Sequence, residues 1–232
     1  MPVAIITGAS KGLGRALAEA LAGRGWDLVL DARGAGALAE TAQALSGYGT
    51  RVRALPGDVT DADHRSRLVE AAWRLGGLDL LVHNASALGI EPLVRLEELP
   101  LPALRRALEV NLVAALGLVQ EGLALLRASG TGTVIAVSSD AAAEAYETWG
   151  GYGASKAGLD QLAAVLAVEE PGLRVWTVDP GDMATDLYAA AVPEDREPRP
   201  APATVVPGFL RLLDERPASG RYTAAALMEG AV

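Results

Sequence analysis

The chain opens with a run of β-formers that meets a glycine-rich turn, and this junction restricts the fold more than any other feature. Val3-Ala4-Ile5-Ile6-Thr7 is too short for a helix and apolar enough for a strand buried on both faces. Gly8-Ala9-Ser10-Lys11-Gly12-Leu13-Gly14 follows, and Leu13, Ala16, Leu17, Ala20 and Leu21 then recur at helical spacing. Strand, glycine turn and helix, in that order, form the setting in which backbone N–H groups at a helix N-terminus cradle a pyrophosphate. The spacing is G-x-x-x-G-x-G rather than the commoner G-x-G-x-x-G. Glycines alone are weak evidence for a ligand; their place after the first strand strengthens it.

The same alternation continues. Strands are expected at Asp27–Leu30, Arg51–Leu55, Leu78–Val82, Gly132–Val137 and Arg174–Val178. Helices are expected between them, at about 37–45, at 61–75 with Asp61 as cap, and at 101–127 with an interruption near Val110-Asn111-Leu112. A further helix begins near Gly151. This β-α-β-α order implies an α/β fold with a doubly wound parallel sheet and helices on both faces, in three layers. No internal repeat or interdomain linker divides residues 1–232, so one domain is expected.

Composition narrows the function classes. The absence of cysteine removes disulfides and thiolate metal sites, and two histidines, His64 and His83, make a zinc mechanism a poor fit, so no metal site is expected. A net charge of −9 argues against nucleic acid and anionic membrane as partners. No apolar run approaches 18 residues and the N-terminus enters a strand at once, so a cytoplasmic location is expected. Of the 20 basic residues only Lys11 and Lys156 are lysines, and Asn84 and Asn111 are the only asparagines. In a chain that nearly excludes both types, these four are poor candidates for surface filler.

Ser139 to Lys156 reads SDAAAEAYETWGGYGASK. Tyr152 and Lys156 stand four residues apart, on one face of a helix. A free phenol titrates near pH 10, and a fixed ammonium beside it is expected to lower that value. Ser139 ends the apolar run Val134–Val137, where its hydroxyl can donate to a substrate oxygen. Alone, a Tyr/Lys pair is also common on solvated helix faces.

Taken together, TGASKGLG at 7–14, DV at 58–59, NAS at 84–86, Asn111, Ser139, YGASK at 152–156 and PGDMAT at 180–185 resemble the short-chain dehydrogenase/reductase family over essentially the whole length. The resemblance implies a Rossmann-like sheet of about seven strands and an oxidoreductase moving hydride between nicotinamide and a small carbonyl or alcohol. It implies Tyr152 as general acid or base, Lys156 as the group that lowers its pKa and holds the nicotinamide ribose, Ser139 on the substrate oxygen, and Asn111 on a relay water. It places the cofactor on Gly8, Ser10, Lys11, Gly12, Leu13, Arg33, Asp58, Val59, Asn84, Ala85, Tyr152, Lys156, Pro180, Gly181, Met183 and Thr185. It also implies pairing of the 101–127 and 152–168 helices into a homodimer or homotetramer, with Val113, Leu116, Leu123 and Leu126 as surplus apolar positions.

The cofactor expected is NADP(H). The family's ribose-reading acid stands 24 residues beyond the first glycine, and Ala32 occupies that place. Arg33 and Lys11 supply cations for a 2′-phosphate, while Asp31 should point away from Ala32's side by strand alternation. Ser86 departs from the glycine usual after Asn-Ala. His64 is expected on the surface and His83 as a hydrogen-bonded structural group. Glu97-Glu98 and Glu169-Glu170 read as solvated helix ends, and Tyr146 and Trp149 as pocket or loop packing. The proline-rich stretch 186–207 is expected to be a mobile substrate lid ending in a short helix at about 203–213. The reading from another class is a nucleotide-binding regulatory or scaffold protein, and the four filled catalytic positions favour the enzyme.

Overall fold

The computed structural model describes residues 1–230. Its sheet has seven parallel strands in the order β3-β2-β1-β4-β5-β6-β7. The strands are β1 (Val3–Ile6), β2 (Asp27–Ala32), β3 (Val52–Pro56), β4 (Leu80–His83), β5 (Thr133–Val137), β6 (Arg174–Asp179) and β7 (Gly220–Thr223). The helices are α1 (Gly12–Gly23), α2 (Ala35–Ala44), α3 (Ala62–Leu75), α4 (Leu101–Leu108), α5 (Ala114–Ser129), α6 (Gly150–Glu169), α7 (Asp186–Ala191), α8 (Val206–Glu215) and α9 (Ala224–Glu229). The chain winds outward in both directions from β1 and β4, so a crevice opens beyond their carboxyl ends.

The period-2 alternation of each strand divides the core. Ala4, Ile6, Leu28 and Leu30 pack with Leu17, Leu21, Phe209 and Leu212 of α1 and α8. Val3, Ile5, Val29 and Leu81 pack with Leu68, Leu118, Leu126 and Ala163 of α3, α5 and α6. Both faces of the central strands are therefore apolar, as parallel sheets require. Asp61 caps α3 by accepting from the Asp63 N–H, as its sequence position implied.

The interruption expected near Asn111 is a single π-helical turn, Glu109–Val113, between α4 and α5. The run from Leu101 to Ser129 is 29 residues long and, by length and composition, apolar enough to cross a membrane. Here it is a core helix, with Ala107, Ala114, Leu118 and Leu126 fully buried. Leu126 is thus not a surplus apolar position, and Leu123 packs partly buried against the same core. Val113 and Leu116 remain 48% and 40% exposed.

β7 and α9 carry no clear sequence signal. Gly220-Arg221-Tyr222-Thr223 is a half-exposed edge strand paired only with β6, so neither a buried apolar run nor strict alternation marks it. Glu170 is also more than a solvated helix end, because Arg127 of α5 pairs with its carboxylate across the surface.

Candidate active site

A cavity of about 780 Å³ lies over the carboxyl edge of the sheet. Every residue expected to hold the cofactor lines it, and so do Ser139, Tyr152 and Lys156. Asn111 stands behind its wall rather than in it.

The dinucleotide half begins where β1 runs into α1. Lys11 takes the N-cap position in extended conformation, with no side-chain cap and no acid in the first turn. The first amides of α1 are therefore free to face an anion. Gly14 is required by packing: a Cβ there would sit 2.5 Å from both Asn84 Nδ2 and Gly8 O. Asn84 ties the turn to β4, its Nδ2 donating to the Thr7 and Gly8 carbonyls at 2.9 and 3.1 Å. Thr7 Oγ1 accepts from the Asn84 and Ala85 amides in return. This donor-rich, closely packed cradle fits a dinucleotide pyrophosphate.

At the adenosine end, Ala32 leaves the β2 tip without an acid, and exposed Arg33 makes no ion pair among the described residues. Asp58 is held down to about 2: burial would raise it, but hydrogen bonds from the Thr60 amide and hydroxyl and from Arg106 outweigh that. Lys11 is not free, since its ammonium pairs with Asp186 at the start of α7.

His64 corrects the surface expectation. It is 1% exposed, and its Nε2 lies 2.6 Å from Asp31 Oδ1, itself on a 2%-exposed side chain. Charged neighbours on the linear sequence hid this, because the α3 face bearing His64 turns toward the sheet. Asp31 does point to the face opposite Ala32. Burial raises its pKa, with His64 opposing that shift.

At the catalytic end, α6 presents Tyr152, Ser155 and Lys156 on its buried face. Gly153 lets the helix approach the turn after β5, since a Cβ would stand 2.6 Å from the Ala141 carbonyl. Lys156 Nζ donates to the Val137 carbonyl at 2.8 Å and lies 5.6 Å from the Tyr152 ring centre. Trp149 meets that ring edge-on at 5.6 Å, so it both packs the loop and lines the cavity. Tyr146 also lines it, its hydroxyl within hydrogen-bond reach of both the Asp140 and Glu144 carboxylates and donating to one of them at a time.

The electrostatics correct a second expectation. Tyr152 is pushed up to about 12, not lowered: burial disfavours the phenolate, and Asp140 and Asp179 repel it, against hydrogen bonding from Ser86 and Ser139. Burial likewise brings Lys156 down to about 8. At neutral pH the pair is a phenol beside an ammonium, poised to give a proton. Ser139 already donates to Asp140 Oδ1 at 2.9 Å while accepting from the Ala141 amide.

The Asn111 side chain is fully engaged. Its Oδ1 accepts from the Ala87 amide at 2.8 Å and the Ser86 hydroxyl at 3.2 Å, and its Nδ2 donates to Ala87 O and Ser155 Oγ. The side chain has no bond left for a relay water. His83 is buried near the Val110 and Asn111 backbone, yet its ring nitrogens make no hydrogen bond of normal geometry. Burial and the Lys156 charge bring it down to about 3, so it stays neutral. No metal-binding cluster occurs among the described residues.

The chain is 37% identical over 188 residues to the glycine betaine reductase of Emericella nidulans, a match covering 80% of this chain but 15% of that much longer protein. It is 37% identical over 190 residues to the cis-4-hydroxycyclohexanecarboxylate dehydrogenase of Sinomonas cyclohexanicum, covering 81% of this chain and 75% of that one. The solved alcohol dehydrogenase of Thermococcus sibiricus, complexed with 5-hydroxy-NADP, superposes with a TM-score of 0.86 at 28% identity, over 96% of this chain and 95% of that one. The short chain dehydrogenase family model matches residues 2–196. With the glycine cradle, the Tyr152/Lys156 face and the seven-stranded parallel sheet, that match places the chain in the short-chain dehydrogenase/reductase family of oxidoreductases.

Proposed function

We propose that this protein is an NADP(H)-dependent reductase of a small carbonyl compound, or the dehydrogenase of the corresponding alcohol. The observation that carries the proposal is the Tyr152 phenol, buried at the floor of the cavity with Lys156 behind it and Ser139 beside it. When bound, the nicotinamide supplies or accepts the hydride. Tyr152 supplies the proton at the developing oxyanion, where a positioned acid contributes about 10²–10⁴-fold. The Lys156 ammonium, fixed on the Val137 carbonyl, offsets charge left on the tyrosine oxygen. Ser139 turns its hydroxyl from Asp140 toward the substrate oxygen.

The preference for NADP rests on Arg33 without an ion pair among the described residues, Ala32 in place of an acid, and Asp31 bonded to His64 rather than free for a ribose hydroxyl. Each exposed charge contact contributes up to about 1 kcal/mol. The Arg33 contact then favours NADPH by up to about fivefold, and Lys11 adds to it only on leaving Asp186. Dissociation constants for NADPH and NADH, measured by fluorescence titration, test this. Arg33→Ala with Ala32→Asp should reverse the preference; equal or tighter NADH binding by the native chain overturns it.

A further inference from the structure

The edge strand β7 carries a side chain that reaches the catalytic end of the cavity from behind. Arg221 stands beside Thr177 of β6, and its guanidinium bridges separate parts of the fold. Nη2 donates to the Ser139 carbonyl at 2.9 Å, and Nε donates to Asp160 Oδ2 at 3.0 Å. Asp179 Oδ2, at the end of β6, lies 3.7 Å from Nη2.

The two hydrogen-bonded partners belong to the two sides of the reaction centre. Ser139 is extended and leads into the turn Asp140–Ala142 after β5. Its carbonyl also accepts from the Ala142 amide at 3.1 Å, so Arg221 and the turn together hold the peptide that aims the Ser139 hydroxyl. Asp160 follows Tyr152 and Lys156 on α6 at four-residue steps, so the three share one face of that helix. Asp160 Oδ1 is buried without a partner, and Arg221 is the one side chain bonded to this carboxylate among the described residues. Arg221 therefore links the peptide of Ser139 to the helix that carries the proton donor. A guanidinium suits this place, because its planar fork serves two acceptors at once in fixed geometry.

We propose that Arg221 is a positioning residue, a brace that fixes the Ser139 backbone against α6 and so sets the spacing between the Ser139 and Tyr152 hydroxyls. Both hydroxyls have to meet one substrate oxygen, and an error of about 1 Å between such groups can cost about 10²-fold in rate. Arg221 and Asp160 do not line the cavity, so neither touches substrate or cofactor. The effect on turnover rests on the roles given to Ser139 and Tyr152 above; the brace itself does not.

The test compares the native chain with Arg221→Ala in NADPH-dependent reduction of a panel of small ketones. In Arg221→Ala, kcat should fall by about 10- to 100-fold while the NADPH dissociation constant stays at the native value. The Arg221 side chain is 34% exposed, so the slot it leaves is open to solvent. Methylguanidinium at tens of millimolar should restore most of the rate, and methylammonium at the same concentration should not. Asp160→Ala cuts the other end of the brace, so adding it to Arg221→Ala should cost little more. Native kcat in Arg221→Ala overturns the proposal, as do equal recovery with the two ions and losses that multiply in the double variant. A second arm needs no turnover: amide hydrogen exchange at Ala142, whose N–H donates to the braced carbonyl, should be about fivefold faster in Arg221→Ala. Unchanged exchange there overturns the brace. Absence of turnover in every protein, native included, counts against the reductase reading, while exchange at Ala142 still decides whether Arg221 holds Ser139.

Discussion

Replacing Gly57 by alanine tests whether the buried His64–Asp31 pair holds the adenosine end of the cavity. A Cβ at Gly57 would lie 2.3 Å from His64 Nδ1, 2.4 Å from Cε1 and 2.6 Å from Cγ. The ring has no room to yield, being buried against Asp31. Gly57 has no positive φ, so the added methyl acts through contact and not through backbone strain. Evicting the ring leaves the Asp31 carboxyl buried without its partner, a loss of about 3–5 kcal/mol. At ~2.1 cal/mol/K per residue, 232 residues have an unfolding entropy of about 0.5 kcal/mol/K, so Tm should fall by about 6–10 °C. In a His64→Ala background the space is open, and adding Gly57→Ala should cost less than ~1 kcal/mol. Urea unfolding of the four proteins gives the coupling directly. A Gly57→Ala cost that is equal in both backgrounds would refute the argument.

Two other predictions concern charge and motion. Lys156 has its folded pKa depressed by burial, so between about pH 8 and 10.5 the unfolded chain binds a proton that the native one has shed, and stability rises with pH. Tyr152 acts oppositely above pH 10, where the native phenol keeps its proton. From pH 8 to 10, urea unfolding should show the stability advantage of Lys156→Met over the native chain shrinking by about 2–3 kcal/mol; a constant difference contradicts the buried-ammonium assignment. The stretch 186–207 is closed at its base by the Ala184 amide donating to the Pro200 carbonyl, and Arg199 binds Asp195 and lies 5.1 Å from the Tyr188 ring centre. It is therefore expected to move as one piece, hinged near Lys11–Asp186, so hydrogen exchange across the whole stretch should slow together on NADP addition. Protection confined to α7 would exclude a lid of that extent.

The parts of the fold built from one continuous signal were legible in the sequence. β1, the glycine turn and α1 follow from a run of β-formers and a 3.6-residue period, and six of the seven strands lie within two residues of their expected bounds. The π-turn at Asn111 was visible as a break in helical patterning. What sequence could not give depended on burial and on neighbours distant along the chain. His64 stands among Asp61, Asp63, Arg65 and Arg67, a solvated context in one dimension, yet its face of α3 meets the β2 tip. Its one signal was the glycine at position 57, whose missing Cβ makes room for the ring. The Tyr152–Lys156 spacing says nothing of the burial that raises the tyrosine, nor of the carboxylates of Asp140, in the turn after β5, and Asp179, at the end of β6, that add to it. β7 is short, charged and at the edge, and only pairing with β6 makes it a strand.

The most direct measurement is single-turnover oxidation of bound NADPH, followed at 340 nm with a panel of small aldehydes and ketones, in the native chain and in Tyr152→Phe. Tyr152→Phe removes one hydroxyl from a buried ring and leaves the α1 cradle, Arg33 and Lys156 in place. Its NADPH dissociation constant should stay within about twofold of native, while the rate of NADPH loss should drop by about 10²-fold or more. A variant that keeps more than about a tenth of the native rate would contradict Tyr152 as the proton donor, given the usual contribution of such a group.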